Sequence, residues 1–135
     1  MPTKAKTQIP TSAELRILNA LWQLGEGTVD QILMSFPPRK RPNYKTTQAF
    51  LRIMEQKGFV KHVARGRVFV FEPLISKEKV DHQSVQVLLQ QNFGGSAHDL
   101  MVNLLESNTV ASSDLDALEG LIQEYRKRKP HLSED

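Results

Sequence analysis

The chain has no cysteine in its 135 residues, an absence that removes disulfides, thiol catalysis and thiolate metal sites together. Long hydrophobic runs are missing too: no apolar stretch approaches the roughly 20 residues that a membrane-spanning helix needs. The opening MPTKAKTQIP carries lysines with no apolar stretch behind them. It does not read as a secretory signal, so a cytoplasmic protein without a membrane partner is expected. The four histidines, His62, His82, His98 and His131, show neither HxH nor HExxH spacing, and no metal site or cofactor is expected of them. Asp114, Asp116, Glu119 and Glu124 have an apolar face opposite them and no partnering nucleophile. They read as a solvated face, and no enzyme such as a nuclease is expected.

What is present is the composition of a folded protein, 39% hydrophobic and 24% charged. The length suits one domain, or one small domain with a helical extension. Charge is divided unevenly. Residues 1 to 75 hold 12 Lys and Arg against 5 Asp and Glu, a net +7, whereas residues 76 to 135 hold 6 against 10, a net −4. A basic half joined to an acidic half points to a polyanionic partner for the first half alone.

Thr11 stands three residues before Glu14, the spacing of a capping box, and Leu15, Leu18, Leu21 and Trp22 follow at helical spacing up to Gly25. Thr28 and Gln31 repeat the box ahead of Val29, Ile32, Leu33 and Phe36, and Pro37 and Pro38 stop this second helix. A cationic loop, RKRPN, leads to a third helix from Tyr44 to Lys57, with Phe50, Ile53, Met54 and Lys57 expected on its apolar face. FVKHVA and VFVFEP around RGR then have the signature of a β-hairpin. Three helices and a two-stranded wing predict a mainly α fold, a winged helix-turn-helix over residues 1–75. Residues 76–135 predict three further helices, broken at GGS. Leu115, Leu118, Ile122 and Tyr125 step by three and four as an interhelical seam does, and RKRK at residues 126 to 129 suits a helix's negative end. Three such stripes need another surface to bury them, and a second copy of the chain is the simplest one. Leu88, Leu104, Leu115, Leu118 and Ile122 are the expected dimerisation residues.

The third helix opens on Tyr44, Lys45, Thr46, Thr47 and Gln48, groups able to bond phosphates and base edges where a helix-turn-helix presents them to the major groove. Gln48 and Arg52 lie one turn apart and suit adenine or guanine. At the wing tip Arg65 and Arg67 flank Gly66, placed to embrace a phosphate or enter a narrow minor groove. Arg39, Lys40 and Arg41 form either a solvated loop or a backbone clamp.

TSAELRILNALWQLG, YKTTQAFLRIMEQKG and GRVFVFEP followed by LMVNLLE resemble the penicillinase-repressor family of bacterial transcription regulators, the BlaI/MecI type, from about Ile9 to Lys129. The resemblance implies a homodimeric repressor on palindromic double-stranded operators. It places recognition-helix positions on Tyr44, Lys45, Thr46 and Gln48 and the wing arginine on Arg67. The chain departs from the family at Ile53, where arginine is usual. It carries Arg52 instead, about 100° around the helix. Cysteine pairs of copper-responsive relatives are absent, which excludes thiolate copper sensing. In β-lactam-responsive relatives release follows cleavage by a signalling protease, and the matching bond here is Asn103–Leu104, with leucine where cleaved relatives have phenylalanine. An unrelated signal, or a change in protein concentration, is the alternative. The alternative to a DNA-binding role is a winged-helix protein-interaction module, which has no need of Lys45, Arg65 and Arg67 on one side.

Overall fold

The first three α-helices begin where a side chain satisfies one of their free amides. The structure, a computed structural model, describes residues 9–128. Helix α1 (Ser12–Leu24) starts from Thr11 and α2 (Val29–Met34) from Thr28, and both expected capping boxes are formed. Ser35 ends α2, and Pro38–Lys40 forms a short 3-10 turn within the cationic loop. Helix α3 (Tyr44–Lys57) is capped by Asn43, whose side chain accepts from the Thr46 amide at 2.7 Å. Gly58, left-handed at φ 86°, closes it.

Strands β1 (Val60–Arg65) and β2 (Val68–Pro73) pair antiparallel, with Arg65 opposite Val68 and Val60 opposite Pro73. Arg65 therefore ends β1, and the turn is only Gly66 and Arg67. Positive φ is needed at Gly66 alone, at 65°, the pattern of a two-residue II′ turn with glycine first. Gly27, between α1 and α2, exchanges two backbone hydrogen bonds with Phe71, at 2.9 and 2.8 Å, and stitches the wing to the helices. The architecture is a winged helix-turn-helix.

The core of this part gathers Ile17, Leu18 and Leu21 of α1, Ile32 of α2, Leu51 and Met54 of α3 and Val60 of β1. On α3 the buried stripe is Thr47, Leu51 and Met54; of the expected face Met54 is buried, Phe50 packs half-buried against the core and Lys57 is half-buried, while Ile53 turns out. Ile53 is 43% exposed, because steps of four and three from Thr47 turn it out of the buried arc. Glu14 is 2% exposed, and its carboxylate accepts from Lys57 Nζ at 2.8 and 3.1 Å, tying the start of α1 to the end of α3. Trp22 Nε1 donates to the Ile75 carbonyl at 2.9 Å.

Helices α4 (Lys77–Phe93), α5 (Ala97–Glu106) and α6 (Ser112–Arg128) follow. Gly94 and Gly95, both at positive φ, separate α4 from α5, and Ser96 caps α5. The chain divides into two compact units within α4, one ending at Val87 and the other starting at Leu88. The first carries on past residue 75 and takes in Val80, which is fully buried. Neither α5 nor α6 has a buried residue. Lys129 and His131 lie outside the described residues. Among the described residues no helix is long and apolar enough to cross a membrane.

Candidate nucleic-acid interface

Exposed polar groups on α3 are set by its phase. With Thr47, Leu51 and Met54 inward, Tyr44, Lys45, Thr46, Gln48 and Arg52 all face solvent. The cap of Asn43 fixes where the helix starts and so where these side chains begin. Its residue type, directly ahead of the polar turns, is a cap signal readable in the sequence.

A cleft of about 190 Å³ runs between α2, α3 and the wing. Tyr44, Gln48 and Arg67 line it, together with Asp30, Val68 and Phe69. The fold thus brings two of the recognition-helix candidates, Tyr44 and Gln48, and one wing arginine onto a single surface. Arg39, Lys40, Lys45, Arg52 and Arg67 are exposed, and their side chains form no ion pair or hydrogen bond with another described residue. Unneutralised cations of this kind are what a phosphate backbone attracts.

Three expected site residues are placed otherwise. Thr47 is 0% exposed and faces the core, so it presents nothing to a ligand. Arg41 is half-buried and folds back, its Nη2 donating to the Phe36 carbonyl at 2.9 Å beyond the end of α2. Arg65 makes a two-pronged pair with Glu26, Nη1 to Oε2 at 2.6 Å and Nη2 to Oε1 at 3.3 Å. The hydrogen bond to Glu26, and then its charge, raise the guanidinium's already high pKa. Glu26 and Arg65 are 39 residues apart. No local spacing announces such a pair.

A second wing contact also escaped the sequence pattern. His62 Nδ1 lies 2.8 Å from Glu55 Oε1 of α3, and its ring stacks on Phe69 at 4.2 Å between centroids. The wing is therefore held by side chains as well as by the Gly27 bridge.

In the other unit the expected seam residues Leu88, Leu115 and Ile122 are exposed, while Leu104 and Leu118 are half-buried. Leu121 and Tyr125 add to the exposed apolar surface of α6. Asn103 is exposed and lies inside α5, where its carbonyl accepts from the Ser107 amide at 3.1 Å.

Comparison with known proteins places this arrangement. Residues 10–124 match the family described as penicillinase repressor. The chain is 23% identical over 119 residues to the penicillinase repressor of Bacillus licheniformis, covering 88% of this chain and 93% of that one. It is 18% identical over 117 residues to the methicillin resistance regulatory protein MecI of Staphylococcus aureus strain N315, covering 87% and 95%. Among solved structures it is similar to the DNA-binding domain of the repressor BlaI, with 24% identity, a TM-score of 0.48, and coverage of 58% of this chain and 93% of that one. With a family match that spans most of its length, the chain belongs to the penicillinase repressor family.

Proposed function

We propose that the chain is a cytoplasmic, homodimeric repressor that binds palindromic double-stranded operators through α3 and the wing. The observation that carries this reading is the cleft on which Tyr44, Gln48 and Arg67 meet, Arg67 having no ion-pair or hydrogen-bond partner among the described residues. Lys45, Arg67, Arg39 and Lys40 bind phosphates, Tyr44 and Thr46 add hydrogen bonds, and Gln48 and Arg52 read base edges. Thr47, Arg41 and Arg65, engaged elsewhere, leave the contact set.

Dimerisation through Leu88, Leu104, Leu115, Leu118 and Ile122 is supported by the lack of any buried residue in α5 and α6. Two copies then occupy half-sites roughly one helical turn apart. Release by a signalling protease that cuts Asn103–Leu104 would part α6 from the remainder and leave too little apolar surface to offset the entropy of association. The bond lies within α5, so the last turn of that helix must open before a protease can reach it.

The test is selection of bound sequences from a random duplex pool, followed by variants on the selected operator. Lys45→Ala or Arg67→Ala should weaken binding to all sequences and lower the salt slope by about one each. Gln48→Ala should instead relax preference at one base position, by about 1–3 kcal/mol of discrimination. Weak duplex affinity that ignores all three changes would favour the interaction-module reading.

A further inference from the structure

The two wing arginines stand on either side of one glycine, yet their surroundings differ. On β1 successive side chains alternate between faces, so His62 and Arg65, three positions apart, point to opposite sides of the hairpin. On one side His62 meets Glu55 of α3. On the other Arg65 meets Glu26 of the α1–α2 turn. Glu26 directly precedes Gly27, whose backbone is bonded to Phe71 of β2 on the strand's outer edge. The carboxylate therefore stands on a segment already fixed to the wing, and less freedom is lost when it grips Arg65 than when two free side chains meet. The guanidinium gives Glu26 two of its donors in the fork geometry that a phosphate would otherwise take. Among the described residues Arg67 has no such partner, and it lines the cleft beside Tyr44 and Gln48.

We propose that Arg65 is a positioning residue, clamping the wing to the α1–α2 turn through Glu26, and that Arg67 alone of the two supplies the wing's phosphate contact. The inference rests on the operator-binding reading above. A pair that is already neutral displaces no counterion when DNA arrives, so Arg65 adds nothing to the salt slope; it acts through the place it gives Arg67.

The experiment measures operator affinity over a salt series for the full chain and for Arg65→Ala, Glu26→Ala, Arg67→Ala and the exchanged pair Glu26→Arg with Arg65→Glu. Arg65→Ala and Glu26→Ala should each weaken binding by about fivefold, the scale of one exposed ion pair, with the slope unchanged for Arg65→Ala. The exchanged pair should recover affinity. Arg67→Ala should lower the slope by about 0.9. A lower slope for Arg65→Ala, tighter binding for Glu26→Ala, or no effect of either overturns the proposal. Amide exchange over Val60–Pro73 in the DNA-free protein is read alongside. It should quicken in both alanine variants and return in the exchanged pair; unchanged exchange also overturns the clamp. Should the exchanged pair fail to fold, Arg65→Lys takes its place, with an unaltered slope and intermediate exchange expected. A wild-type chain that binds no DNA sinks the operator reading, and the exchange measurement still judges the clamp by itself.

Discussion

The two compact units treat similar apolar content in opposite ways. In the first, leucines of α1 and α3 such as Leu18, Leu21 and Leu51 are fully buried. In the second, Ile122 is 52% exposed, and α5 and α6 bury nothing. Both kinds of helix carry aliphatic residues at helical spacing, so the amphipathic pattern alone does not make a core. The first unit has three α-helices, two strands and a bridge at Gly27 to enclose its stripes. Helices of 10 and 17 residues with no enclosing layer are marginal in water. The first unit thus encloses its own core, whereas α5 and α6 leave their apolar residues exposed.

Shortening the chain after Val87 is the strongest way to test this difference. The remaining unit should unfold cooperatively, as its intact core requires, but lose about 10²–10⁴-fold in operator affinity because two heads are no longer joined. Thermal unfolding and titration of labelled operator measure the two effects. Undiminished affinity would show that the second unit does no joining, and sedimentation of the full chain as a monomer would agree.

A smaller effect is expected inside the first unit. Lys57→Met leaves the Glu14 carboxylate buried with only the Thr11 amide, and should cost about 3 kcal/mol of stability in urea unfolding. The same measurement on Ile122→Ala should leave the first unit's stability unmoved. A cost for Lys57→Met well under about 1 kcal/mol would mean the ion pair does not secure α1 to α3.

The smallest change sharpens the boundary between core and interface on one helix. The Thr47 hydroxyl is buried with no hydrogen-bond partner. Thr47→Val keeps the branched shape and removes the unsatisfied group, so stability should rise by about 1 kcal/mol with operator affinity unchanged. Lost affinity at unaltered stability would return Thr47 to the DNA-contacting set.

Local chemistry was readable in the chain because its partners are close in sequence. Thr11 with Glu14, Thr28 with Gln31, the glycines after α1 and α3, and the hairpin around Gly66 each involve residues within one turn. The polar leading end of α3 was equally plain. Its phase was not: Ile53 looks like core and Thr47 like surface by residue type, and only packing against α1 and α2 turns one out and the other in.

The sequence by itself determined the order of helices and strands, the division of charge and the stock of cationic and polar side chains in the first half, since spacing, caps and formal charge are local properties. Which of those residues stay free was decided only by the tertiary structure. Arg65, Arg41 and Lys57 are cations like Arg67 and Lys45, but the fold brings them to Glu26, the Phe36 carbonyl and Glu14. A charge's availability depends on what lies within about 3 Å of it in space. For Lys57 and Arg65, that neighbour lies dozens of positions away along the chain.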